Sequence, residues 1–390
     1  MVPLLLVFVL VLTGCTGRSL IAWGSGWSAT AASDGTVYVG TRQGEILALY
    51  ANKNGRLKAE EQVKWRFSPE KDQRLGGVFS MPAVGEEHIY VGDRGDADGK
   101  NGKLYALRKD RSPGSNTLES GEWKKDIEGA IVGGAALAEA EGLVLVGSND
   151  GYLYAFDTTG DTTSKMAWRF PTGGRIWATP VVWDGVVYFG SMDHYVYALT
   201  LEAGLNLSKR LLWKYKTGGA VVSTPLLLDG PKGPMVIIGS FDKKLYALKA
   251  RTSNPGGEMV WPQPFEGDDW FWAGAVSDGK YIFAPSMAGT VYALDTGGAS
   301  VWAERFEEKS PVVSTPVIVE GKVVVATDKG KLHLLRASDG EELEVSKELD
   351  SRVKAPLSHD GTMVFVGAED KTVRGVDVEK WAEVWRLPAK

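Results

Sequence analysis

The sequence predicts an all-β fold, an eight-bladed β-propeller built from four-stranded antiparallel blades. The main observation is a repeat: a short apolar strand that ends in Gly or Ala, a polar turn, and a second strand that ends near Tyr-Ala-Leu, found eight times. The repeat length lies between 41 residues (Ala326 to Gly367) and 55 residues (Gly92 to Gly147). Repeats of this length that contain only strand signals are typical of propeller blades, whose sheets bury both faces only against neighbouring sheets.

The eight copies share β-branched residues in the first strand and alternating apolar residues in the second, which are strand patterns. The first strands end at Gly40, Gly92, Gly147, Gly190, Gly239, Ala284, Ala326 and Gly367. The second strands end at Leu49, Leu107, Phe156, Leu199, Leu248, Leu294, Leu335 and Val376.

Two further strands complete each predicted blade. An inner strand precedes each copy and ends in a turn such as Asp184-Gly185, a dipeptide that tight hairpins favour. An outer strand follows each copy, and in most copies it carries a tryptophan, as at Trp213. Residues 20–23 and residues 383–386 both resemble the outer strand that would complete the ring, and the sequence leaves the choice open.

Two copies contain the pattern Ala, Phe or Leu, Asp, Thr, any residue, Gly, followed by a tryptophan. This pattern resembles the tryptophan-docking motif of the pyrrolo-quinoline-quinone-like repeat family. The resemblance implies one propeller over residues 20–390, in which the tryptophan of one blade packs against the next blade and Ala and Gly leave room for its ring. Leu334 and Gly375 stand where this family usually has Ala. The docking residues that the resemblance implies are Ala155, Asp157, Gly160, Trp168, Ala293, Asp295, Gly298 and Trp302.

The first residues predict export. Residues 4–12 form an unbroken apolar run that is too short to cross a bilayer but fits the apolar region of a signal peptide. The run leads through Thr13-Gly14 to Cys15, which resembles the bacterial lipobox. We therefore expect residues 1–15 to be a lipoprotein signal peptide with Cys15 as the lipidated residue, and the protein to be anchored facing the periplasm or the outer cell surface. Cys15 is the single cysteine, so an internal disulfide is excluded.

The composition does not favour nucleic acid as a partner, because the net charge is −5 and acidic and basic residues are interspersed. The four histidines are scattered, with no pair at metal-ligand spacing. Residues 93–102 alternate Asp and Gly but match a calcium loop poorly. Quinoprotein dehydrogenases of the repeat family typically use an adjacent cysteine pair, which this sequence lacks. We expect no catalytic residues, no metal and no cofactor, and keep a quinone-dependent dehydrogenase as a distant alternative.

Aligning the predicted inner strands on their Ser-Thr-Pro-like start shows the candidate binding site, which consists of the residue just before that start in each blade. Four of them are large aromatics: Trp27, Phe79, Trp177 and Trp272. The other four are Val132, Val222, Val313 and Val353. Inner strands line the axial opening of a propeller, so these side chains either form a rim that anchors a protein partner or plug the channel as core. The sequence leaves both interpretations open.

The propeller architecture, the chain length and the lipobox together resemble the BamB family of outer-membrane β-barrel assembly. This resemblance implies a monomeric, lipid-anchored, non-catalytic scaffold that binds membrane or envelope proteins. The alternative is a cell-surface propeller that binds peptide or polysaccharide.

Overall fold

The computed structural model describes residues 29–41, 44–51, 59–69, 75–158, 166–303 and 306–388. These residues form eight antiparallel sheets of four strands each, and every sheet consists of four strands that are consecutive in the sequence. The prediction of an eight-bladed β-propeller is therefore confirmed. No helix in the described ranges is long and apolar enough to span a membrane.

The first four blades contain strands β1 to β16 and two short helical turns. Blade one comprises β1 (Thr30–Ser33), β2 (Thr36–Gly40), β3 (Ile46–Tyr50), a 3-10 turn (Ala59–Gln62) and β4 (Val63–Phe67). Blade two comprises β5 (Ala83–Val84), β6 (His88–Gly92), β7 (Lys100–Arg108) and β8 (Trp123–Gly129). Blade three comprises β9 (Ala135–Ala138), β10 (Leu143–Gly147), β11 (Tyr152–Asp157) and β12 (Met166–Pro171). Blade four comprises β13 (Val181–Trp183), β14 (Val186–Gly190), β15 (Tyr195–Thr200), α1 (Leu207–Arg210) and β16 (Leu211–Lys216).

The last four blades contain strands β17 to β32. Blade five comprises β17 (Leu226–Gly230), β18 (Gly233–Gly239), β19 (Lys244–Lys249) and β20 (Phe265–Glu266). Blade six comprises β21 (Val276–Ser277), β22 (Tyr281–Pro285), β23 (Thr290–Asp295) and β24 (Phe306–Glu307). Blade seven comprises β25 (Val317–Val319), β26 (Lys322–Ala326), β27 (Lys331–Arg336) and β28 (Lys347–Glu348). Blade eight comprises β29 (Ser358–Asp360), β30 (Met363–Gly367), β31 (Thr372–Asp377) and β32 (Ala382–Pro388).

The first strand of each sequence copy is the second strand of its blade, and the glycine that ends it lets the next blade approach closely. A Cβ atom on Gly147 would lie 2.2 Å from Cγ2 of Ile176, which belongs to the segment that leads into blade four. A Cβ atom on Gly190 would likewise lie 2.3 Å from Cγ1 of Val221. Because no side chain fits there, the space between blades is filled by the apolar residue of the following blade. This contact explains the recurring glycine of the sequence repeat.

The ring is closed by the C-terminal strand. β32 pairs with β31 within blade eight, so of the two candidate segments it is the C-terminal one that completes this blade. Residues 20–23 lie outside the described ranges. Blades eight and one meet through side chains: the hydroxyls of Thr30 and Ser358 are 2.7 Å apart, and Trp385 Nε1 donates to the Ala51 carbonyl oxygen at 3.3 Å.

The outer strands of blades five to seven are shorter than the sequence pattern suggests. The pattern places Trp302 within the outer strand of blade six, but that strand begins only at Phe306. The turn that starts at Asp295 reverses the chain early, and the N–H of Val301 already donates to the Ala293 carbonyl oxygen at 2.9 Å. Trp302 therefore docks before the regular outer strand begins.

Candidate functional site

Tryptophan side chains bridge neighbouring blades. Trp302 Nε1 donates to the carbonyl oxygen of Ala337 in blade seven at 3.0 Å, and Trp261 Nε1 donates to that of Thr296 in blade six at 2.9 Å. A Cβ on Gly298 would lie 2.7 Å from the ring of Trp261, so Gly298 makes room for the tryptophan of the preceding blade. Both tryptophan side chains are buried, so these contacts are structural.

The remaining docking residues lie in blades three and six, at contacts between neighbouring blades that we call seams. Ala155 lies opposite Trp168 in the sheet, and both are buried. The guanidinium of Arg210 lies over the Trp168 ring at 4.5 Å. Asp295 accepts hydrogen bonds from the N–H groups of Gly297 and Ala299, both at 2.9 Å, which fixes the turn. Asp157 is half-buried at the end of β11, Ala293 is buried in β23, and Gly160 lies outside the described residues.

The residues that precede the inner strands line the axial opening, where they enclose a cavity of about 80 Å³. Trp27 lies outside the described ranges. In blade eight the lining residue is Lys354 and not Val353, which is fully buried in the seam against blade seven. The alignment on proline was wrong there because only two residues separate Val353 from Pro356. In blade seven, three residues separate the corresponding Val312 from Pro316. The seven lining residues at this level are Phe79, Val132, Trp177, Val222, Trp272, Val313 and Lys354.

The three described aromatic residues of this rim differ in exposure. Phe79 is 7% exposed and packs with Ala29 and Ala355 in the axial core. Trp177 and Trp272 are only half-buried, and their ring centroids are 6.1 Å apart. Trp177 Nε1 donates to Oδ1 of Asn149 at 2.5 Å, which orients its ring.

A stack of three rings extends this rim outward. Phe241 lies between Trp270 and Trp272, with centroid distances of 4.7 Å and 5.6 Å and interplanar angles of 12° and 25°. Trp270 is 37% exposed. We call Trp177, Phe241, Trp270 and Trp272 the axial aromatic cluster. The sequence analysis missed Phe241 because it lies in the turn between the second and third strands of blade five and not before an inner strand. The signal that could have identified it was an aromatic residue in that turn.

Ion pairs lie around Lys354, the charged lining residue of the axial opening. Lys354 Nζ lies 2.7 Å from Oε1 of Glu369, and Arg352 Nη2 lies 2.5 Å from Oδ2 of Asp328. The lining of the opening is therefore aromatic at Trp177 and Trp272, aliphatic at Val222 and Val313, and charged at Lys354.

In residues 93–102, which match a calcium loop poorly, carboxylates accept hydrogen bonds from main-chain amides. Asp93 is buried and accepts hydrogen bonds from the N–H groups of Gly76, Gly95 and Lys103. Burial raises the pKa of Asp93. Asp96 accepts from the N–H of Lys100 at 2.9 Å. Across the described ranges, no group of three or more His, Cys, Asp or Glu residues has an arrangement that could hold a metal ion.

The quinone cofactor named in the repeat family does not fit the axial cavity. A cavity of about 80 Å³ is well below the ~300 Å³ at which small-molecule pockets begin. The cofactor is a tricarboxylic acid, and the cation that lines this cavity, Lys354, is already paired with Glu369.

The family model described as outer membrane protein assembly factor BamB matches residues 100–254, 242–343 and 289–390. The chain belongs to the BamB family. The resemblance expected from the sequence is confirmed.

Solved structures share the BamB-type fold. BamB from Moraxella catarrhalis superposes with a TM-score of 0.65 and 15% identity, covering 87% of this chain and 93% of that one. The computationally designed Ika8 protein gives a TM-score of 0.68 and 17% identity, covering 90% and 95% of the two chains. A quinoprotein ethanol dehydrogenase of Pseudomonas aeruginosa is 40% identical over 70 residues, which is 17% of this chain and 11% of the enzyme. The chain thus spans a small part of that enzyme's length.

Proposed function

We propose that this BamB-family propeller is a non-catalytic scaffold that binds protein partners in envelope protein assembly. The observation that carries the proposal is the axial aromatic cluster, a partly exposed set of four rings at one end of the channel. Membership of the BamB family supports the assembly role.

The cluster has the physical properties of a protein-binding anchor. Tryptophan is enriched among the residues that dominate binding energy at protein interfaces. The rings of Trp272 and Trp270 are held in place by Phe241 between them, and Trp177 is held by Asn149. Because the rings are already ordered, a partner loses little additional side-chain entropy on binding.

Lipidation at Cys15 would place this surface next to envelope proteins. Residues 16–28 separate Cys15 from the first described residue, Ala29. A linker of that length can extend at most about 45 Å. The anchored propeller would therefore stay within reach of proteins at the same membrane surface.

Site-specific cross-linking in the source cells tests the proposal. A photoreactive phenylalanine is introduced in place of Trp272, with a matched variant at Val345, which is 87% exposed in blade seven. We expect the variant at Trp272, and not the one at Val345, to cross-link to envelope proteins. Identical adducts from both positions, or none from Trp272, would contradict the proposal. Retention of the protein on cell-wall polysaccharide, lost in a Trp272→Ala variant, would favour the alternative of a glycan-binding propeller.

The absence of catalysis needs its own test. The purified chain, supplied with the quinone cofactor and calcium, is expected to give no dye reduction with alcohols or sugars. Calcium-dependent turnover would contradict this expectation. It would favour a quinone-dependent dehydrogenase, in line with the short match to the quinoprotein enzyme.

A further inference from the structure

We propose that Trp270 and Asp269 form a receptor for an arginine side chain of the protein partner. The proposal rests on the proposed function and specifies the chemistry of the partner at the outer end of the axial aromatic cluster. It would make this end of the cluster selective for a cationic segment.

The protein already contains a complete version of such a receptor. The guanidinium of Arg251, from blade five, lies 6.0 Å from the ring centroid of Trp183 in blade four. Arg251 Nη2 also lies 2.6 Å from Oδ2 of Asp184, the residue that follows Trp183. An adjacent tryptophan and aspartate thus hold an arginine that comes from another blade.

The same combination of ring, guanidinium and carboxylate occurs at two further places among the described residues. Arg169 lies over Tyr152 at 4.5 Å and contacts Glu128 at 3.1 Å. Arg111 lies over Phe67 at 4.5 Å and 3.3 Å from Glu122, with both charged side chains fully buried. Each of these arginines bridges two neighbouring blades, so the arrangement is a recurring means of joining surfaces in this molecule.

Asp269 and Trp270 repeat the pairing of a tryptophan with an adjacent aspartate. One face of Trp270 stacks on Phe241, the side chain is 37% exposed, and no cation from the described part of the chain lies over its ring. Asp269 contacts Lys243 at 3.6 Å, and these side chains are 39% and 50% exposed. An exposed ion pair of this kind contributes little, so an incoming cation can replace Lys243 at small cost.

Charge and shape favour arginine in particular. The segments that carry the stack, residues 240–244 and 266–272, contain four carboxylates and two lysines: Asp242, Glu266, Asp268, Asp269, Lys243 and Lys244. A guanidinium is planar and weakly hydrated, so it can stack on an indole while it donates to a carboxylate. A lysine ammonium satisfies the charge but lacks the planar shape.

Binding of short labelled peptides to the full chain tests the receptor. The peptides alternate valine and serine and differ only in a central arginine, lysine or neutral citrulline, and fluorescence anisotropy gives their Kd values. We expect the arginine peptide to bind about fivefold tighter than the citrulline peptide, as a partly desolvated cation–π contact predicts. Trp270→Leu and Asp269→Asn should each reduce this preference, and Trp270→Phe should retain part of it. Trp183→Leu, which alters the internal arginine site, is the matched control and should leave the preference unchanged.

The outcomes separate this receptor from the proposed function. Equal binding of the arginine and citrulline peptides, binding of none of the peptides, or an arginine preference that survives Trp270→Leu would each overturn the receptor. The cross-links from the Trp272 position would then still support protein binding at the cluster. Loss of those cross-links would overturn the proposed function itself.

Discussion

Trp302 in blade six donates its indole N–H to the carbonyl oxygen of Ala337 in blade seven, at 3.0 Å. The ring lies against Gly340, where a Cβ atom would come within 2.7 Å of it. The same type of bond joins Trp213 to Ala250 and Trp65 to Lys109. The seams between blades therefore combine a buried ring with a main-chain hydrogen bond.

Substituting Gly340 tests how much this seam depends on close approach. Gly340 has a φ of +81°, and Gly279, at a hairpin turn, has a φ of +89° and open space within 4 Å of the position that a Cβ would take. Both Gly→Ala changes incur the backbone cost of a left-handed conformation, about 1 kcal/mol. Gly340→Ala additionally displaces the Trp302 ring, and overpacking adds roughly 1–3 kcal/mol. Denaturant unfolding of the two variants should show this difference, and equal losses would mean that the ring adapts freely.

Gly375→Ala should be destabilising although alanine is the usual residue of the repeat family at this position. A Cβ on Gly375 would lie 2.5 Å from Cε2 and Nε1 of Trp385 and 3.0 Å from Cε of Met363. We expect a loss of roughly 1–3 kcal/mol in the free energy of unfolding. Trp385→Phe in the same chain should recover part of the loss, because a smaller ring leaves room. Strict additivity of the two changes would argue against a direct clash.

Much of the fold could be predicted because each blade repeats the same local solution. The glycine that ends most second strands, such as Gly147, and the buried tryptophan of most seams, such as Trp213, reflect contacts that recur around the ring. The position of Lys354 could not be predicted in this way. The segment before Pro356 is one residue shorter than in blade seven, so Lys354 takes the lining position that the alignment assigned to Val353. An alignment on the proline cannot detect this shortening.

The axial aromatic cluster could be predicted only in part. Trp177 and Trp272 were expected at the opening because they precede inner strands. Phe241 lies in a turn of blade five, yet it stacks between two residues that lead into blade six. Such a contact depends on how consecutive blades are placed around the axis, and periodicity within one blade contains no information about it.

Alkaline pH should destabilise the propeller through its buried tyrosines. Burial raises the pKa of Tyr188 and of Tyr90 to about 12 in the folded chain, against about 10 for an exposed tyrosine. A raised pKa means that this contribution to stability is complete below pH 10 and is lost as the pH rises from about 10 to about 12. For Tyr188 the loss should approach about 3 kcal/mol. Unfolding free energies measured across this range should fall, together with a rise in tyrosinate absorbance on unfolding.

Tyr188→Phe provides the control for that titration. The Tyr188 hydroxyl donates to the Ala250 carbonyl oxygen at 3.1 Å, and Trp213 also donates to this oxygen, so the acceptor stays paired in the variant. The variant should lose stability less steeply between pH 10 and 12. An unchanged slope would assign the alkaline loss to other groups.

Cys15→Ala should release the protein from the membrane fraction. The proposed lipid attachment depends on this cysteine, and no helix within the described ranges could replace it as a membrane span. Lipid chains supply the attachment free energy of such anchors, about 0.8 kcal/mol per buried CH₂ group. Cell fractionation and immunoblotting measure the outcome. Retention of the variant in washed membranes would contradict the lipidation proposal.

Replacing Trp177 and Trp272 with alanine distinguishes a binding surface from a packed channel. Both rings are half-buried, whereas Trp213 is 1% exposed. If they anchor a partner, each change should weaken partner capture by about 2 kcal/mol or more and alter stability much less. Trp213→Ala, the matched core control, should lose roughly 3–5 kcal/mol of stability.

Thermal melts and pull-downs with the partner identified by cross-linking, carried out on the same three variants, give the two readouts. For the cluster variants we expect a large effect on capture with a small shift in Tm, and for Trp213→Ala a large shift in Tm. A Tm decrease at Trp177 and Trp272 as large as that at Trp213 would show that these rings are core. The partner-binding surface would then have to lie elsewhere, because a packed ring cannot leave the channel to contact another protein without the cost of the cavity it leaves behind.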